Sequence, residues 1–137
     1  MTFVPTDIAN CVLWLPWDTG LYEDDAGTNP VEHTDDVHYW ADASGQGNHA
    51  LATANFPSYW SGTGLVYNSA NSKRLECGTV VTSNSFTWFV LYRSGAFNAT
   101  ADNYQALIGF GSSSDGADGG GFFIRKNDKK SALYVAK

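Results

Sequence analysis

Trp40-Ala-Asp-Ala-Ser-Gly-Gln-Gly-Asn-His-Ala50 is the most informative run in this 137-residue chain. It reads as a strand ending in an aromatic anchor, Trp40, followed by a tight turn. Asp42 and Ser44 have the short polar side chains that bond backbone amides within a turn. Gly45 and Gly47 supply backbone angles that other residues resist. Asn48 tolerates the left-handed region and has an amide able to tie the loop back. The residue-level expectation is a self-satisfied structural turn, with a ligand site as the alternative.

Outward from this turn, the composition points the same way. Gly, Ser, Thr and Asn together make up 47 residues, and aromatics reach 15%. Charged residues are only 16%, against about 25% in an average globular protein. Many aromatics and turn formers with few charges favour short strands over helices. A hydrophobic share of 43% supports a packed core and argues against wholesale disorder. The net charge of −6 is uneven. Residues 1–72 hold nine acids and no Lys or Arg, whereas residues 73–137 hold all eight bases and five acids. Neither half has the basic stripe that nucleic-acid binding requires. An acidic face instead suits a cation or a basic partner. No apolar run reaches the roughly 18–20 residues of a membrane helix, so no membrane insertion is expected. The first ten residues show no secretory signal pattern.

Eight strands are expected: Cys11–Leu15, Val37–Ala41, Gly64–Tyr67, Arg74–Val80, Ser85–Arg93, Tyr104–Phe110, Gly121–Lys126 and Ala132–Ala136. A helical turn is expected near Pro5–Ala9, capped by Thr6 or Asp7. Phe86, Trp88, Val90 and Tyr92 alternate with Thr87, Phe89 and Leu91, so this strand is apolar on both faces and should be central. Cys11–Leu15 reads the same way. Cys11 and Cys77 are either two small buried residues or a disulfide joining two strands. Two loops stand out: residues 18–36 with seven acids, and the Gly/Ser-rich residues 111–121.

The turn resembles the W-x-D-x-S-G-x-G-N-x-A pattern of laminin-G-like, concanavalin A-like lectin/glucanase domains, through Trp40, Asp42, Ser44, Gly45, Gly47, Asn48 and Ala50. Val12-Leu-Trp-Leu15 with Asp18 resembles the opening strand of that family. Arg74-Leu-Glu-Cys-Gly78, Ser85-Phe-Thr-Trp-Phe-Val90, Leu107-Ile-Gly-Phe-Gly111 and Gly121-Phe-Phe-Ile-Arg125 are similar to its later strands. The resemblance covers about residues 7–136. It implies an all-β fold, a jelly-roll sandwich of two antiparallel sheets, with residues 1–137 forming a single domain. Family domains run longer, so the resemblance implies a minimal domain, a shortened one, or missing C-terminal strands supplied by a neighbouring chain.

Enzymatic relatives carry E-x-D-x-x-E on one strand face, as alternation requires. This chain has only Glu23, Glu32 and Glu76, and no such motif. His33, His38 and His49 are not placed near a plausible Ser or Cys nucleophile, and GxSxG and HExxH are absent. A non-catalytic protein is expected. A Ca²⁺ site is a candidate, with Asp24 and Asp25 in one loop converging on Asp115 and Asp118 in another. Glycan binding needs a flat aromatic on a loop, and Tyr22, Tyr59 and Trp60 are the candidates. The resemblance implies a structural and recognition module of a phage virion, either a capsid decoration protein or a tail-fibre domain. Its partners would be other virion proteins or further copies of itself, with glycan adhesion as a second contact. A free carbohydrate-binding module, Ca²⁺-dependent and extracellular, is the alternative.

Overall fold

A computed structural model describes residues 4–67, 73–78, 80 and 86–91, together with the backbone of three strands within residues 104–135. The fold is all-β. Among the described residues all strand pairings are antiparallel, and the helical content is one 3-10 turn, Pro5–Asp7. Pro5 opens that turn with its φ already set. The residue before it, Val4, is the cap, and the Asp7 carboxylate reaches back to accept the Val4 N–H at 3.0 Å. The chain divides into two compact units, Met1–Phe86 and Thr87–Lys137.

In the first unit a four-stranded sheet runs β1 (Leu21–Tyr22), β2 (Tyr39–Trp40), β3 (Ala50–Leu51) and β6 (Glu76–Cys77), in that spatial order. A hairpin of β4 (Ser58–Trp60) and β5 (Gly64–Val66) completes it. The register makes two cross-strand rows. Leu21, Trp40, Ala50 and Cys77 lie opposite one another, and so do Tyr22, Tyr39, Leu51 and Glu76. Directly opposed residues share a face. The first row therefore faces the core, with Leu21 and Ala50 buried. The second faces outward, ending in the exposed Leu51 and Glu76.

The chain from Thr34 to Ala41 links hairpin and sheet. Thr34 N–H donates to the Tyr59 carbonyl at 2.7 Å and Val37 N–H to the Pro57 carbonyl at 2.7 Å. Beyond Val37 the partners change: His38 N–H donates to the Tyr22 carbonyl on one side, and the His38 carbonyl accepts Ala52 N–H on the other. Residues 53–56 are the excursion that separates β3 from β4, turned by Asn55 at φ +55°. The core closes here, on Leu21, Val37, Ala50, Ala52 and Pro57.

Among the described residues, two expected strands form no ladder. Cys11–Leu15 runs without turn or bend, but it is held by the Asp42 and Asn48 side chains and by single backbone bonds to Ile8 and Ala43 rather than by a neighbouring strand. The described part of Ser85–Arg93, residues 86–91, also lies outside any sheet. Phe89 is 83% exposed and Leu91 96%, so this run is not a central strand covered on both faces. Apolar alternation sets which residues prefer burial; a ladder also needs a partner of matching register. Conversely β1, β3 and β4 have no counterpart among the expected strands. Two- and three-residue strands are too short to carry a period.

In the second unit β7 (Tyr104–Phe110), β8 (Gly120–Arg125) and β9 (Ser131–Val135) form a meander in that order. All three match expectation to within about one residue. A register shift between Ala106 and Ile108 marks a bulge in β7. Gly120, expected in the loop over residues 111–121, belongs to β8, and Gly121 is in β8 as its expected strand had it. The rest of that loop lies outside the described residues.

Candidate functional site

The Trp40–Ala50 turn is built around one carboxylate. Asp42 is 8% exposed. Its Oδ1 accepts the N–H groups of Trp14 and Ser44, both at 2.9 Å. Its Oδ2 accepts the Ser44 hydroxyl at 2.7 Å and the Asn48 N–H at 3.0 Å. Burial pushes this carboxyl up, but the four hydrogen bonds outweigh it and hold Asp42 below the usual carboxylate range. Gly45 and Gly47 sit at φ +85° and +75°, as the turn demands. Asn48 does not take the left-handed conformation; among the described non-glycine residues Asn10, Thr34 and Asn55 do.

The turn does more than satisfy itself. Asn48 Nδ2 donates to the Val12 carbonyl at 2.7 Å, and Trp40 Nε1 donates to the Pro16 carbonyl at 2.8 Å. Ala43 N–H donates to the Trp14 carbonyl at 2.7 Å. Val12, Trp14 and Pro16 recur every second residue, so their backbone groups share one edge of the extended segment. Trp40, Asp42 and Asn48 are thus the side chains that lash residues 12–16 to the turn. The structural reading of this run accounts for every polar residue singled out in it.

The acidic loop follows a related logic. Asp24 accepts Thr28 N–H at 2.9 Å, Thr28 Oγ1 at 2.7 Å and Asn29 N–H at 2.8 Å. The Thr28 hydroxyl and amide hold its carboxyl low. Asn29 Nδ2 also donates to Glu23. Asp35 accepts Glu32 N–H at 2.7 Å, and Asp25 stands 3.3 Å from His38 Nδ1. These carboxylates take amide dipoles and an imidazole as partners, which explains how so many acids sit together without a base. Asp24 therefore has its oxygens occupied by its own loop. Asp115 and Asp118 lie outside the described residues. Among the described residues no group of three or more His, Cys, Asp or Glu is placed to hold a metal ion.

The three candidate aromatics are strand residues, not loop residues. Tyr22 lies on β1, edge-on to Tyr39 at 5.7 Å and 74°. Tyr59 and Trp60 are neighbours on β4, so alternation sends them to opposite faces. Tyr22 and Tyr59 come together at a cleft of about 310 Å³ whose lining also includes Asp18, Pro30 and Val31. Trp60 lies apart from it, tilted on His33 at 5.5 Å and 46% exposed. Among the described residues no hydrogen bond or ion pair engages the Asp18 carboxylate. Tyr22, Tyr59 and Asp18 thus line one cleft. No signal in the sequence separates Asp18 from six other acids in residues 18–36, so it is not among the candidates that sequence reasoning finds.

The histidines have structural partners that their spacing hides. His33 Nδ1 lies 3.0 Å from Ser61 Oγ, across 28 residues of chain, so a Ser–His contact exists where the sequence shows none. The same nitrogen accepts the Ser61 N–H at 3.2 Å. Among the described residues no carboxylate engages the other ring nitrogen, where a hydrolytic triad has its orienting third group. His49 Nδ1 accepts the Asp42 N–H at 3.0 Å and adds a fifth tie to the turn. His38 stacks on Phe56 at 3.6 Å and 4°. Cys11 and Cys77 are free thiols, which removes the disulfide alternative. Both are half-buried. Burial pushes the Cys77 thiol up and the Asp42 charge adds to this, leaving a poor nucleophile.

Among the described residues no helix is long and apolar enough to cross a membrane. No protein-family model matches the chain, and neither a curated protein nor a solved structure matches it.

Proposed function

We propose that this chain is a non-catalytic recognition module of a phage virion, with the two-sheet jelly-roll sandwich of concanavalin A-like domains, acting by protein–protein contact. The observation that carries this reading is the uncharged run 86–91, in which Phe89 and Leu91 are 83% and 96% exposed. Large apolar side chains left open in sequence continuity favour a covering partner. The motif with the most polar residues is fully engaged in holding residues 12–16, which leaves its chemistry structural. A capsid decoration protein or tail-fibre domain, meeting other virion proteins or further copies of itself, fits these features. Light scattering on the purified chain tests this. Association is expected, and a clean monomer at every concentration would count against the reading.

A second reading, carbohydrate binding, is favoured by the cleft. Tyr22 and Tyr59 provide apolar ring surface, and Asp18 provides an acceptor for sugar hydroxyls. Ca²⁺ has less support, because Asp24 is occupied within its own loop. A glycan array run with and without chelator tests both points, with Tyr59→Ala and Asp18→Asn as the discriminating variants. Binding that survives both substitutions would remove the cleft from the reading.

A further inference from the structure

The extended segment Cys11–Leu15 has two edges. Its even-numbered residues, Val12 and Trp14, point their backbone groups at the turn and are bonded there. Alternation therefore turns the N–H and C=O groups of Leu13 and Leu15 to the opposite edge. Among the described residues no backbone hydrogen bond engages either one. Their one polar contact is the long approach of Cys11 Sγ to the Leu13 carbonyl at 3.7 Å. Leu13 and Leu15 thus present an open ladder edge on a segment whose other edge is hydrogen-bonded to the turn. Such an edge is a template for strand addition.

We propose that this edge takes residues 86–91 of a second copy of the chain as an added strand. The proposal rests on the contact-module reading above and names the contact. Three observations favour this occupant. Residues 86–91 run without turn or bend and belong to no sheet. Thr87, Phe89 and Leu91, again every second residue, have no hydrogen bond among the described residues, and the last two are the most exposed large apolar residues described. Neither segment carries a charge, so pairing buries none. Charge also favours approach between copies. The accepting edge lies in a half with nine acids and no base, and the donated run lies in a half with eight bases against five acids. Exchange in both directions gives a closed dimer, and exchange in one direction gives longer assemblies.

The test uses the full chain, with amide hydrogen exchange and light scattering across a wide concentration series. The amides of Leu13 and Leu15 are expected to become protected as the chain associates. Phe89→Lys and Leu91→Lys, at exposed positions that leave folding intact, should weaken association and release both amides. Leu13→Pro and Phe89→Pro each remove one outward N–H. Each should weaken self-association by roughly fivefold per ladder hydrogen bond lost. Mixed together, the two proline variants should form a heterodimer, since each retains the edge the other lacks. Association that survives the lysine variants, with Leu13 and Leu15 exchanging freely, would overturn the strand pairing while leaving the contact module standing. Protection of both amides in a monomer would overturn the second copy as occupant. A chain that never associates would overturn both.

Discussion

Replacing Asp42 with alanine should be the most damaging single polar substitution in the first unit. The carboxylate accepts four hydrogen bonds between 2.7 and 3.0 Å, three of them from backbone N–H groups. Hydrogen bonds to a charged group contribute about 1.5–3 kcal/mol each, and an orphaned buried donor costs about 1–3 kcal/mol. The gain is reduced by the cost of holding a charge at 8% exposure, and water can reach part of the turn once the side chain is gone. A net loss of about 3–5 kcal/mol follows, a large share of the roughly 5–15 kcal/mol that holds a domain together. For a unit of this size, Met1–Phe86, the melting temperature should fall by about 12–40 °C. Asp42→Asn is the informative control. Its carbonyl oxygen can still accept from Trp14 and Ser44, but its NH₂ then meets the Asn48 N–H donor to donor. It should lose about half as much. Thermal unfolding by circular dichroism gives the magnitude, and amide exchange at Trp14, Ser44 and Asn48 gives the location. An Asp42→Ala chain within about 1 kcal/mol of wild type, or one whose Trp14 amide stays protected, would refute the idea that this carboxylate lashes residues 12–16 to the turn.

Other expectations follow from the same geometry. Because Asp42 titrates below the usual carboxylate range when folded, its contribution is fully present above the unfolded value of about 3.9 and is lost as pH falls through the lower folded value. Acid unfolding curves of wild type and Asp42→Asn should therefore converge at low pH, and curves that stay parallel would contradict this. Gly20→Ala should destabilise by about 1–2 kcal/mol, since Gly20 sits at φ +70° and an added Cβ would lie 3.0 Å from the Ala41 Cβ; chemical denaturation measures it. Ser61 should not react with a fluorophosphonate probe despite its contact with His33, and stoichiometric labelling would revive a hydrolytic reading.

Much of this architecture is legible in the amino-acid sequence, for identifiable reasons. The longer strands Tyr104–Phe110, Gly120–Arg125 and Ser131–Val135 have enough residues to show their pattern and clear Gly or Asn punctuation between them. The Trp40–Ala50 turn is legible because its chemistry is local: Asp42, Ser44 and the glycines lie within a few residues of the amides they serve. Its long-range half is not. Nothing in the spacing of Trp40, Asp42 and Asn48 announces that they reach the backbone of Pro16, Trp14 and Val12. For the same reason Cys11–Leu15 reads as an ordinary ladder strand, although one edge is held by the Asp42 and Asn48 side chains and the Ala43 amide rather than by a strand. Tyr22 reads as a loop residue because the acids and Gly20 around it outweigh a two-residue strand. The cleft joining Tyr22 to Tyr59 depends on the bridges Tyr22–Pro30 and Asp36–Ser58, which are tertiary pairings without a local signature.

Whether this chain exists to be covered by another is tested most directly by its light-scattering mass, followed from dilute to concentrated solution of the purified full chain. A contact module predicts a mass that rises above one chain with concentration and falls back when Phe89 and Leu91 are replaced by lysine. A mass that stays at one chain throughout, with Phe89 and Leu91 tolerating lysine without effect, would contradict it.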